Sequence, residues 1–184
     1  MNPRNLSAWS RLHDETHSDC RIFEVRKSRF RRQSDEKEGE FFVLDTNDWV
    51  NVLAVTKAME IVLVRQYRFG TETFSLEPPG GVVEKGESPV LAAERELKEE
   101  TGFTGKRPTV IGSVCPNSAI MSNRCHFVLV EQAEKTSSTC FDQHEELETL
   151  LVPIDEMKNL VRQGKIDHSL ALNGIFQLLL FLEK

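Results

Sequence analysis

The sequence predicts an α/β fold in which a mixed sheet is covered by helices on both faces, with a small antiparallel sheet ahead of it. Three observations carry that prediction. Short apolar, β-branched runs alternate with polar turns through most of the chain, one helical stretch near Ser88–Thr101 interrupts them, and two helical stretches close the chain.

Taken in order, strands are expected at Cys20–Phe30, Phe41–Asp45 and Trp49–Thr56, with the charged segment Arg31–Glu40 as a solvated hairpin connection ending near Gly39. These short strands need a partner surface to be stable. Residues 1–56 are therefore expected as an N-terminal β-sheet subdomain and 57–184 as the catalytic domain. Glu60–Tyr67 (EIVLVRQY) reads as a central strand, and Pro78, Pro79, Gly80 and Gly81 then break regular structure. For the helix Ser88–Thr101, Ser88 serves as N-cap, Pro89 takes the first helical position and Gly102 stands just past the end. Strands Thr109–Val114 and His126–Glu131, a polar loop Ala133–His144, strand Leu147–Val152 and helices Ile154–Gln163 and Ser169–Leu182 follow. Asp167 and His168 read as capping residues of the last helix, and His126 as a packed histidine.

Composition excludes several classes. With 184 residues, 39% of them hydrophobic and 28% charged, the chain has the make-up of an ordinary soluble protein. A net charge of -6 offers no basic surface for a nucleic-acid backbone. The apolar run Ile175–Leu182 is too short to span a bilayer, and Met1–Thr16 has no apolar signal-peptide core, so no membrane partner is expected. Cys20, Cys115, Cys125 and Cys140 form no CxxC pair and no zinc spacing, which fits reduced thiols in the cytoplasm.

The chemistry is concentrated in Gly81–Phe103, GVVEKGESPVLAAERELKEETGF. Glu96, Glu99 and Glu100 stand at i, i+3 and i+4, so their carboxylates share one helical face, beside a stripe of Val90, Ala93 and Leu97. Three adjacent carboxylates repel one another unless cations sit between them, and a hard cation such as Mg²⁺ takes oxygen ligands of this kind. The segment agrees at every fixed position with the pattern GX5EX7REUXEEXGU: Gly81, Glu87, Arg95, Glu96, Leu97, Glu99, Glu100, Gly102 and Phe103. It thereby resembles the box of the Nudix hydrolases, whose fold is an α/β/α sandwich around a mixed sheet.

The resemblance implies Mg²⁺ or Mn²⁺ bound against a diphosphate. Glu96 and Glu100 would be direct metal ligands, Glu99 a direct or water-mediated one, and the carbonyl of Gly80 a further oxygen ligand. Arg95 would orient a glutamate, and Glu87 would pair structurally. VRQYRFG (Val64–Gly70) followed by LEPPGG (Leu76–Gly81) is similar to the ADP-ribose pyrophosphatase and nucleoside-diphosphate-sugar hydrolase branch, with Pro79 where Ala is usual. In that branch Arg68 would contact a substrate phosphate. Cys115–Val130 carries Asn117, Ser118, Asn123 and Arg124, a polar set suited to a sugar or diphosphate, and looks more like the nucleotide-sugar enzymes. Asp142–Met157 resembles the branch's acidic loop, which makes Glu145 the first candidate general base and Glu146 the next.

The expected reaction is hydrolysis of the diphosphate bond of a nucleoside diphosphate linked to a sugar, an NDP-sugar or ADP-ribose. The alternatives are a triphosphate or RNA-cap hydrolase and, outside enzymes, a nucleotide-sugar sensor. The triphosphatases lack the N-terminal sheet, cap hydrolases usually need basic grooves, and sensors generally carry damaged boxes. The branch is typically homodimeric with exchanged N-terminal sheets. Phe23, Phe41, Phe42 and Trp49 supply the excess apolar surface for that, and Trp49 could stack on the partner's nucleotide base.

Overall fold

The computed structural model describes residues 6–141 and 146–183. They form two compact units, Met1–Asn47 with Asn117–Asn123, and Asp48–Pro116 with Arg124–Lys184.

The first unit is a three-stranded antiparallel sheet in the order β1-β2-β3: β1 (Trp9–Asp19), β2 (Glu24–Arg32) and β3 (Glu38–Asp45). β1 is the addition to the expected pattern. Its sequence, WSRLHDETHSD, shows no apolar alternation because both of its faces are largely exposed. Pairing to β2 and polar contacts hold it instead: Asp14 accepts hydrogen bonds from Arg26 Nε at 2.8 Å and from Ser28 Oγ. Asn117–Asn123 joins this unit through Leu44 N to Ile120 O (2.7 Å) and Ser122 N to Leu44 O (3.2 Å).

The second unit holds a mixed seven-stranded sheet. Its strands are β4 (Trp49–Val55), β5 (Glu60–Arg68), β6 (Thr73–Glu77), β7 (Gly80–Val82), β8 (Phe103–Val114), β9 (Cys125–Lys135) and β10 (Leu147–Pro153). The order is β10-β5-β4-β9-β8, with β6 on β5 and β7 on β4, and β4 runs parallel to β9. Helix α1 (Pro89–Thr101) lies between β7 and β8; a 3-10 turn (Ile154–Glu156), α2 (Met157–Arg162) and α3 (Ser169–Leu182) end the unit.

One assignment needs correcting. Trp49–Val55 does not belong to the N-terminal sheet; it is a central strand here, so the boundary falls after Asn47. The reason is visible in its burial. Val50, Val52 and Ala54 pack with Ala92, Ala93 and Leu97 of α1, while Leu53 and Val55 pack with Met157, Leu170, Ala171, Ile175 and Leu178 on the other face. A strand apolar on both faces needs cover on both sides, which a solvent-facing sheet cannot give. β9 divides in the same way, Cys125, Phe127 and Leu129 against Val128 and Val130. Burying such side chains contributes ~1.5–3 kcal/mol each. Among the described residues no helix is long and apolar enough to cross a membrane.

Two further elements depart from expectation. The segment after Gly70 contains β6, and the Pro-Pro-Gly-Gly run leads into β7 rather than a plain loop. Pro79 contributes its carbonyl, accepting Val52 N at 2.7 Å, so the prolines do not prevent attachment to β4.

Candidate active site

β4 and β5 are registered with each other only at Val55 and Ile61. Toward their other ends β5 pairs with β6 and β4 pairs with β7, so the β6–β7 segment enters the space where the two strands part. That segment carries Glu77 through Val82 to the flank of α1.

The helix is stopped at both ends by its sequence. Ser88 is extended (φ -86°, ψ 152°) and its Oγ accepts from Leu91 N at 3.3 Å, with Pro89 opening the helix. Gly102 takes the left-handed conformation at φ 74°, and its N–H reaches Lys98 O. A Cβ there would also meet Ser137 O at 2.2 Å, so glycine is required twice over.

Arg95 organises the acidic face. Its Nε and Nη2 donate to the two oxygens of Glu87, both at 3.1 Å, and Nη2 also reaches Val82 O at 3.0 Å. Nη1 donates to Glu96 at 2.7 Å and Glu99 at 3.3 Å. Glu87 is held below its ordinary pKa chiefly by the Arg95 hydrogen bonds, so it stays ionised as a structural partner. Glu100 is buried, and its Oε2 accepts the Gly80 N–H at 2.9 Å. A Cβ on Gly81 would lie 2.3 Å from Glu96 Oε1, which brings the Glu96 carboxylate directly against the glycine backbone.

Among the described residues, no three His, Cys, Asp or Glu side chains already converge at ligand spacing. Arg95 draws Glu96 and Glu99 one way, and Gly80 N–H draws Glu100 another. Even so, Glu96, Glu100 and the Gly80–Gly81 backbone pack together and offer only hard oxygen donors. That set fits a divalent cation of the Mg²⁺ type.

Beside this face opens a cavity of about 1370 Å³, lined among others by Trp49, Arg68, Glu77, Gly80, Gly81 and His168. Arg68 is placed there as expected, but not as a solitary cation. Its Nε and Nη2 each lie 2.8 Å from an oxygen of Glu77, a bidentate pair. Glu77 is 1% exposed and also has His168 Nδ1 at 3.1 Å, a close contact outside aligned hydrogen-bond geometry. Burial pushes the Glu77 pKa up, but His168 and Arg68 together outweigh it and hold the group down at about 2. Both Glu77 and His168 escaped the sequence reading. His168 does precede α3, yet its side chain makes no cap hydrogen bond and turns to Glu77 instead. The one available signal was an acidic residue, Glu77, immediately after the partly buried Leu76 and before two buried prolines.

The remaining candidates divide. Trp49 lines the cavity of its own chain and packs against the core. Asn117, Ser118 and Asn123 belong to the first unit. Asn117 Oδ1 accepts Ala119 N at 3.3 Å, Ser118 is exposed, and Asn123 Nδ2 donates to Asn47 O at 3.1 Å. Arg124 donates from Nε to Ser113 Oγ at 2.9 Å, and its backbone N–H reaches Asp48 Oδ1 at 2.8 Å. His126 packs as expected, with Nε2 3.0 Å from Asp48 Oδ2. Glu145 lies outside the described residues; Glu146 is exposed on the cavity rim.

The fold and site define an α/β/α sandwich whose capped, glutamate-rich helix lies against a glycine strand. The NUDIX domain model matches residues 45–171, and the chain belongs to the Nudix family. It is 34% identical over 118 residues to the ADP-ribose pyrophosphatase of Bacillus subtilis (strain 168), covering 64% of this chain and 64% of that protein. The match thus spans just under two thirds of that relative's length. The ADP-ribose pyrophosphatase of Saccharomyces cerevisiae is 30% identical over 188 aligned positions, covering 90% of this chain and 80% of that protein. A solved structure of an ADP compounds hydrolase superposes with a TM-score of 0.86 at 24% identity, over 98% of this chain and 97% of that one, which shows the shared fold.

Proposed function

We propose that this protein hydrolyses the diphosphate bond of a nucleoside diphosphate linked to a sugar, ADP-ribose or an NDP-sugar, giving a nucleoside monophosphate and a sugar phosphate, with Mg²⁺ as cofactor. The observation that carries the reading is the cavity that joins Arg68, Trp49 and the Gly80–Gly81 backbone beside the acidic helix face. The names of the Bacillus and yeast relatives support it.

Glu96, Glu100, the Gly80 carbonyl and Glu99 are the residues that would hold the ion, and Arg95 keeps Glu96 and Glu99 aimed. When bound, Mg²⁺ supplies charge neutralisation of the diphosphate and acidification of a water. Arg68 fixes one phosphate, and Trp49 offers an aromatic face to the base. Glu145, or Glu146 next to it, takes the proton of the attacking water as the P–O bond to the leaving phosphate breaks. We further propose a homodimer formed through the first unit, whose Trp9, Phe41 and Phe42 are 41%, 45% and 51% exposed, and a cytoplasmic location, in keeping with the free thiols of Cys20, Cys115 and Cys140.

The test is product formation from a panel of NDP-sugars, ADP-ribose, dinucleoside polyphosphates and nucleoside triphosphates, with Mg²⁺ and with excess chelator. Turnover of the sugar-linked diphosphates in Mg²⁺, abolished by chelator, is expected. Preference for triphosphates, or full activity in chelator, would overturn the reading.

A further inference from the structure

We propose that Glu77 and His168 are positioning residues that hold the Arg68 guanidinium in one orientation as the receptor for a substrate phosphate. The inference rests on the diphosphate reading above for the identity of the ligand. It begins with a cost. Glu77 is 1% exposed, and removing a carboxylate from water is expensive even when it is paired. Replacing a buried ion pair with apolar side chains of similar volume is often neutral or stabilising, so packing alone does not account for this one.

The geometry shows what the pair achieves. Glu77 occupies the Nε–Nη2 edge of Arg68 with two contacts of 2.8 Å. The opposite edge, Nη1 with the outer N–H of Nη2, keeps its donors, and among the described residues no side chain accepts from Nη1. The Arg68 side chain is 44% exposed and lines the cavity that also contains Gly80 and Gly81. A guanidinium clamped along one edge presents the other as a flat two-pronged fork, the shape that takes two oxygens of a phosphate. Clamping also removes rotamer freedom before the ligand arrives, which lowers the cost of binding.

His168 completes the clamp. Its Nδ1 is buried 3.1 Å from Glu77 Oε2, the same oxygen that Arg68 Nη2 engages. Glu77 closes β6 and His168 immediately precedes α3, so the contact ties the strand to the start of the helix at the carboxylate that holds Arg68. A bridge serving stability alone would need neither a half-exposed guanidinium nor a place on the cavity wall.

The experiment compares the full chain with Glu77→Gln, His168→Ala and His168→Asn, using whichever sugar-linked diphosphate the wild type turns over in Mg²⁺. Glu77→Gln and His168→Ala are expected to raise KM about 10- to 100-fold with kcat within about threefold, the scale of one lost charge-assisted contact that is made equally in ground and transition states. His168→Asn places an amide N–H donor within reach of Glu77 Oε2 and should hold KM to within about threefold of wild type, a recovery no loss of packing would produce. KM within twofold of wild type in both Glu77→Gln and His168→Ala would overturn the proposal. Should Glu77→Gln not fold, the two His168 variants decide. If the wild type hydrolyses no sugar-linked diphosphate, that failure belongs to the substrate reading. The positioning role is then judged by NMR of the Arg68 Nε–H: a slowly exchanging resonance that shifts on adding ADP and is lost in His168→Ala supports it, and a rapidly exchanging one in the wild type overturns it.

Discussion

Gly80→Ala puts the central geometry at risk with a single methyl group. The new Cβ would lie 2.1 Å from Val50 O and 3.0 Å from Asn51 Cα, both backbone atoms of β4. An ordinary C···O contact is about 3.3 Å or more, so β7 must retreat from β4 by about an ångström. Three residue pairs, Trp49–Val82, Val50–Gly81 and Asn51–Gly80, register β7 against β4. Overpacking of this kind costs about 1–3 kcal/mol. The retreat also breaks the 2.9 Å bond from Gly80 N–H to Glu100, a charge-assisted contact worth about 1.5–3 kcal/mol. We expect about 3–5 kcal/mol of destabilisation by urea unfolding, together with a higher Mg²⁺ concentration for half-maximal activity. Gly164→Ala is the control: its φ of 67° is strained but nothing lies within 4 Å, so about 1–2 kcal/mol and no change in metal dependence should follow. Gly81→Ala separates the two effects. Its Cβ meets the Glu96 carboxylate, the movable end of a side chain, so metal affinity should fall more than stability does. A Gly80→Ala protein no less stable than Gly164→Ala, with unchanged metal dependence, would refute the argument.

Arg95→Lys replaces a fork that serves Glu87, Glu96, Glu99 and Val82 O with one ammonium; about 2–3 kcal/mol of stability and roughly tenfold in Mg²⁺ half-saturation should be lost, and wild-type values for both in denaturation and metal titration would deny Arg95 its role. Glu145→Gln should lower kcat ~10²–10⁴-fold with little change in metal affinity; an active Glu145→Gln beside an inactive Glu146→Gln would move the base by one residue. Because Glu77 is held at about 2, below its ordinary 4.5, its contribution to stability is complete above about pH 5 and is lost as pH falls toward 2. That contribution is on the order of 3 kcal/mol, so the thermal midpoint of wild type should fall more steeply across that window than that of Glu77→Gln; parallel curves would contradict the assignment. Light scattering at micromolar concentration should give twice the 21.0 kDa of one chain, and a mass near one chain would remove the dimer.

What could be read in advance was whatever the chain encodes at helical or strand spacing. Ser88, Pro89 and Gly102 bound α1 because each acts on backbone within four residues of itself, and the i, i+3, i+4 spacing of Glu96, Glu99 and Glu100 fixes their common face through helix geometry alone. β1 was missed for the converse reason: a strand exposed on both faces leaves no apolar period, and its stability resides in pairing to β2 and in Asp14 meeting Arg26 and Ser28. β4 showed its strand character but not its sheet, since an apolar run says that both faces are covered without saying by what. Glu77, Arg68 and His168 lie furthest from anything a local pattern can reveal. A buried carboxylate is tolerated only because residues from β5 and from the start of α3 meet it, and that meeting is created by the way β4 and β5 part. Helix propensity and motif spacing thus specify the acidic face, whereas the residues that would grip the substrate beside it are specified by topology. Variants of the first kind should disturb metal dependence, and variants of the second kind KM, a division that the Arg95 and His168 substitutions examine from opposite sides.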